Sequence, residues 1–169
     1  MRAARLSCLS LFIISAIMVI CGPSRVTARG FYSSFNAGLA NSGYALAANC
    51  TYKEDMLTLS ARYYFTEQIT LVQCGIGPSS FPESAEDLAL LAGLSNKYKH
   101  GNSATIELGL AYTTIVREKN ERICHEKVVG LAYQSQIYWG RIGLTVMGNS
   151  NAVRTYTGVL IGFRLGRCN

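Results

Sequence analysis

Two histidines and the serines and carboxylates near them are the residues of this 169-residue chain best suited to hydrolysis. His125 stands in the stretch 117–127 among Glu118, Glu121 and Glu126, and Ser79, Ser80 and Ser84 lie in an earlier Gly- and Pro-containing stretch. A Ser/His/Glu group could cleave an ester if nucleophile, base and orienting carboxylate came within hydrogen-bond reach. His100 has no such company; its neighbours are Lys97, Lys99 and Gly101. No spacing signature ties these residues together. They read as solvated loop side chains, no catalytic residue is assigned, and the chain is not expected to be an enzyme.

The cysteines come next. Of six, Cys8 and Cys21 fall in the N-terminal apolar region, leaving Cys50, Cys74, Cys124 and Cys168. No C-x-x-C occurs, so no metal site is expected, and no cofactor motif is present. An even number of cysteines in an exported chain points to disulfides, with three pairings open.

Export is written at the N-terminus. Arg2 and Arg5 precede an apolar run from Leu9 to Cys21, Gly22-Pro23 breaks it, and Val26-Thr27-Ala28 supplies small residues where a signal peptidase cuts. The run falls short of the roughly 20 residues a spanning helix needs. Lipoprotein cleavage at Cys21 is disfavoured by the bulky Ile20 before it. Residues 1–28 are therefore expected to be a cleaved signal peptide on the Sec route, and 29–169 one domain. Loss of 28 of 169 residues leaves 141 and removes three of sixteen basic residues, so the net charge falls from +6 to +3. With the remaining charges scattered, nucleic-acid binding is not expected.

What remains must be positioned by strands. Met56–Thr66 sets Leu57, Leu59, Ala61, Tyr63 and Phe65 against Thr58, Ser60, Arg62 and Tyr64, a period of two. Stretches 104–114, 128–139 and 158–165 repeat that alternation, and weaker runs cover 31–39, 44–52, 86–97 and 141–149. In 86–97 a helix competes, since Ser84 and Asp87 could form a capping box and Leu88, Leu91 and Leu94 suit one helical face; a strand is preferred. The expectation is an all-β fold, a single eight-stranded antiparallel up-and-down β-barrel. Expected connections are short at 53–55, 98–102 and Gly140, and long at 67–85 and 115–127. Short turns at one end and longer loops at the other suit a barrel crossing a membrane.

Either a soluble or a membrane barrel would show the apolar face, so the other face decides. It is rich in Gly, Ala, Ser and Thr, and its charges are Arg62, Glu107, Arg141 and Arg164. About one position in eight is charged, against about 25–35 % for a water-facing exterior. Small polar residues suit a crowded lumen. Arg62, Glu107, Gln134, Gln136, Arg141 and Arg164 are expected to form a polar network that plugs it. Tyr44, Tyr52, Tyr63, Phe65, Tyr112 and Trp139, near strand ends on the apolar face, are expected at the lipid–water interface. The pairings Cys74–Cys124, in the long outer loops, and Cys50–Cys168, near the opposite rim, follow from these placements.

The stretches Tyr52-Lys53 with Met56–Tyr63, Leu88–Gly93 with Lys97-Tyr98-Lys99, and Ile106–Tyr112 resemble the small outer-membrane β-barrel proteins of Gram-negative bacteria, especially the uncharacterised barrels common in Bacteroidetes. The resemblance implies an outer-membrane location and no agreed activity. Membrane lipid is the partner it implies, with a surface or periplasmic protein partner unidentified. The chain departs from it in ending Arg167-Cys168-Asn169 rather than in an aromatic residue. Two other readings stay open: a soluble periplasmic or secreted lipocalin-like barrel holding a small apolar ligand, and a lipid-modifying barrel enzyme.

Overall fold

The computed structural model describes residues 29–41, 43–67, 83–98, 101–119 and 122–166. The expected signal peptide lies outside them. Period-two patterning becomes eight strands: β1 (Arg29–Ala40), β2 (Gly43–Glu54), β3 (Leu57–Glu67), β4 (Ser84–Lys97), β5 (Ser103–Lys119), β6 (Arg122–Trp139), β7 (Ile142–Asn151) and β8 (Thr155–Leu165). Each pairs antiparallel with the next, and β8 pairs back onto β1, with Ser33 opposite Leu165 and Ala40 opposite Gly158. This is the closed eight-stranded barrel that the alternation implies. Closure leaves no sheet edge along the wall, which is the general answer to unpaired backbone in lipid.

The 86–97 stretch is strand. Leu88, Leu90 and Leu94 point outward, whereas Leu91 turns inward and packs with Ala89, Ala111 and Ala132. Ser84 caps no helix; it pairs with Glu67 and Val116. Leucines on both faces imitate a helical stripe, and pairing with two neighbouring strands overrides it.

The expected loop 115–127 is corrected. β5 and β6 continue as a two-stranded ribbon, with Ile115 opposite Glu126 and Arg117 opposite Cys124. The diagonal pair Arg117–Glu126, at 2.5 Å, ties the two strands together. Charge density makes 115–127 look like a loop, yet beyond Ile115, which is still packed in the core, and Val116, still paired with β4, the ribbon keeps side chains on both faces at least partly in water and tolerates it.

The end carrying Arg29 and Leu165 has tight turns. Asp55 (φ 53°) and Gly140 (φ 64°) adopt the left-handed conformation that turns β2 into β3 and β6 into β7. The opposite end carries the β1–β2, β3–β4, β5–β6 and β7–β8 connections.

One glycine is fixed by space. Gly148 lies under the Tyr133 ring, whose hydroxyl reaches Thr157 on β8. A Cβ on Gly148 would stand 2.2 Å from the Tyr156 carbonyl oxygen and 2.5 Å from the Tyr133 hydroxyl. The tyrosine can swing aside but the backbone oxygen cannot. Gly148→Ala is expected to destabilise the barrel by about 1–3 kcal/mol, the usual cost of overpacking. Urea unfolding in detergent micelles measures it.

Candidate functional site

The barrel interior is built by the inward residues of all eight strands and has three zones. At mid-height, Arg62 from β3 is 1 % exposed. Its guanidinium donates to the carbonyls of Tyr133 (2.9 Å) and Gly148 (3.1 Å) on β6 and β7. It lies 3.8 Å from Asp87 of β4 and stacks over the Tyr64 ring at 5.5 Å. Asp87 accepts a hydrogen bond from Asn149 at 3.2 Å. Glu107 from β5 accepts from Ser60 at 2.6 Å and from Gln134. One arginine thus spans the lumen from β3 to β6 and β7, with carboxylates from β4 and β5 near it. Planar, multiply donating guanidinium is the group suited to such a crossing.

Toward the tight-turn end, Arg164 of β8 donates to Ser103 Oγ (2.8 Å), the Gly101 carbonyl (2.9 Å) and the Gly140 carbonyl (2.8 Å). It also sits over the rings of Tyr138 (4.9 Å) and Tyr32 (5.4 Å). Asn36 of β1 accepts from Tyr138 of β6 and Thr145 of β7, and Lys53 donates to Ser95 at 3.1 Å. At the opposite end the interior turns apolar: Ala45, Ala47, Tyr64, Ala85, Ile115, Met147, Tyr156 and Leu160 form one buried cluster. Above it Arg154 pairs with Glu83 at 2.6 Å, and Tyr156 donates to the same carboxylate.

Arg62, Glu107 and Gln134 therefore meet at mid-height, and Arg164 closes the tight-turn end. Gln136 is buried, and its side-chain amide makes no hydrogen bond among the described residues. Arg141 is placed differently from expectation. It is exposed in the β6–β7 turn, and only its backbone carbonyl takes part, accepting from the Arg164 amide at 2.7 Å. β7 starts at Ile142, one residue later than the alternation places it.

The sequence reading missed two interior charges, Asp87 and Lys53. Parity with Ala89 and Leu91 places Asp87 inward, but its role in a competing capping box hid it. Lys53 follows inward Thr51 by two, and was assigned to a turn that begins two residues later. Tyr64 lies inward with Thr58, Ser60 and Arg62, as the alternation of β3 places it; the interior tyrosines Tyr32, Tyr138 and Tyr156 were missed, because large aromatics were sought on the outer face.

The six outward aromatics are on the outer face. Tyr44 and Phe65 stack at 6.0 Å near the loop end, and Tyr44 donates to Glu67. Tyr52 packs on Phe31 at 4.8 Å at the other end, where Trp139 also stands. Tyr63 and Tyr112 lie between, closer to the loop end.

The hydrolytic grouping does not assemble among the described residues. His125 is exposed on the outer side of β6, while Glu126 points to the other side and pairs with Arg117. Ser84 shares a row with Val116 and His125, two strand spacings or about 10 Å from the histidine. Ser79, Ser80, His100 and Glu121 lie outside the described residues. Cys50 is a free thiol on the outer face, and Cys124 stands opposite Arg117. Cys74 and Cys168 lie outside the described residues, and no disulfide occurs within them.

Solved structures share the architecture. Neisserial surface protein A aligns with a TM-score of 0.61 at 12% identity, covering 83% of this chain and 99% of that one. The N-terminal β-barrel domain of Pseudomonas aeruginosa OprF gives 0.58 at 13%, covering 82% and 99%. The fold is that of the small eight-stranded outer-membrane barrels. Ail, the attachment invasion locus protein of Yersinia pestis, solved with the heparin analogue sucrose octasulfate, gives 0.53 at 10%, covering 82% and 99%. No protein-family model and no curated protein matches the chain.

Proposed function

We propose that this chain is an outer-membrane protein, exported on the Sec route with cleavage of residues 1–28 on export, with a plugged lumen and a structural or surface-interaction role carried by its loop end. The carrying observation is the outer face. Phe31, Phe35, Leu39, Leu46, Leu59, Leu88, Leu90, Leu108, Leu110, Leu131, Ile161 and Phe163 are all exposed. On β2 the outward row from Tyr44 to Tyr52 holds no charge, and Glu67 and Glu86 bound the belt at the loop end as Arg29 and Glu54 do at the other. Eight rises of about 3.4 Å, tilted by about 40°, make that row roughly 21 Å tall, close to the about 25 Å apolar band of such barrels. So large an apolar surface is not carried by a soluble monomer.

The lipocalin-like reading needs an apolar lumen. Arg62, Asp87, Glu107 and Gln134 fill the middle of this one, which speaks against it. Among the described residues no reactive constellation favours the lipid-modifying reading. The finer resemblance to Bacteroidetes barrels fits this proposal without adding a role.

Membrane extraction tests it. The protein should stay with the outer-membrane fraction, require detergent, and migrate differently on gels when boiled and unboiled. A periplasmic, detergent-independent protein would refute the proposal. The interior carries a second expectation: reconstituted in planar bilayers, the barrel should show no large steady conductance, because the Arg62 crossing and the apolar cluster above it occlude the bore.

A further inference from the structure

The β5–β6 ribbon outgrows the strands beside it unequally. On the β4 side, pairing reaches Ser84 opposite Val116, so β5 extends only from Arg117 to Lys119 beyond its neighbour. On the β7 side, pairing begins at Gly130 opposite Asn151. The whole of β6 before Gly130 thus has β5 on one side and no strand on the other among the described residues. The segment His125–Val129 is backbone of extended geometry with an open edge, at the end of the barrel that carries the loops.

We infer that this edge is a docking site for an extended acidic segment of another protein, added to β6 as a further strand. Backbone groups at an open edge template such addition. The outward side chains set the preference. They run Ile123, His125, Lys127, Val129, with both apolar residues more than half exposed. The acidic residue on this strand, Glu126, faces the other way and is held by Arg117. An incoming strand with a carboxylate opposite Lys127 and apolar residues opposite Ile123 and Val129 therefore matches the row, since opposite charges and apolar pairs directly across a ladder are favourable. A second copy in the same membrane fits poorly. Antiparallel pairing of two β6 edges inverts one barrel relative to the other, which one bilayer does not allow. That exclusion and the surface role rest on the outer-membrane reading; the open edge does not.

The test uses the full mature chain in detergent micelles, first shown to be folded by its heat-modifiable migration, so failure of the membrane reading is seen before any binding is measured. The probe is a fluorescent seven-residue peptide, valine–threonine–glutamate–threonine–glutamate–threonine–isoleucine, capped at both ends. Anisotropy should report saturable binding. Of two versions N-methylated at alternate residues, one should lose at least tenfold in affinity and the other keep it, because only one peptide edge meets β6. Lys127→Glu should weaken the acidic peptide at least fivefold and favour a version with lysine in place of glutamate. Folded protein that does not bind, or binding indifferent to both N-methylation patterns and to Lys127→Glu, would overturn the inference. A dimer in sedimentation that Lys127→Glu dissociates would overturn it in favour of a second copy.

Discussion

Replacing Arg62 by alanine is expected to cost the barrel about 3–5 kcal/mol, the range for removing one partner of a buried ion pair. The residue is 1 % exposed and joins four strands through the Tyr133 and Gly148 carbonyls and the Asp87 carboxylate. Its loss leaves Asp87 buried with only neutral donors and opens a space the width of a guanidinium. Urea unfolding in micelles, followed by tryptophan fluorescence from Trp139, should show the loss as a lower midpoint. Arg62→Met paired with Asp87→Asn removes both charges at similar volume and should recover most of it. If the single and double variants unfold alike, the carboxylate is not what makes Arg62 necessary, and the crossing hydrogen bonds carry the effect.

Leu110→Arg should cost about 2–4 kcal/mol when the barrel folds into bilayers, the cost of an arginine on the lipid face near the midplane. Leu110 is 66 % exposed and sits between Leu90 of β4 and Leu131 of β6, well inside the uncharged belt. The same substitution at an exterior facing water would change stability by no more than about 0.5 kcal/mol. The measurement therefore separates the membrane barrel from the soluble one by energy alone. Lys127→Leu, on the ribbon beyond the belt, serves as a control with a small expected effect.

The wall of the barrel was legible because strand alternation is local and repeats. β3 shows it at its clearest, and the parity that exposes Leu57, Leu59 and Tyr63 buries Thr58, Ser60 and Arg62. Even β4 yielded once its outward leucines were set against small inward residues. The ribbon was not legible. Ile115 and Val116 continue the alternation of β5, but Arg117, Glu118 and Lys119 follow, and consecutive charges look the same in a loop as in strands with water on both sides. Interior partners were only half legible. Parity can say that Arg62 faces inward and Asp87 lies on the adjacent β4, but it takes the closed ring to bring Gly148 of β7, which does not neighbour β3, to the same arginine. Arg141 marks the limit of parity, which fails where a strand gives way to a turn.

The seam between β1 and β8 bears on how the ring assembles. Seven of the eight ladders join consecutive strands, so each can begin as a local hairpin. The eighth brings Ser33 against Leu165 and Ala40 against Gly158, across nearly the whole span of the described residues. Loop-closure entropy and the slowness of non-local pairing both fall on that one ladder. Assembly then has a direction: hairpins accumulate into an open curved sheet, and zipping β8 onto β1 comes last. Until that moment the sheet has two raw edges of unpaired backbone, which makes the seam the step most in need of outside help.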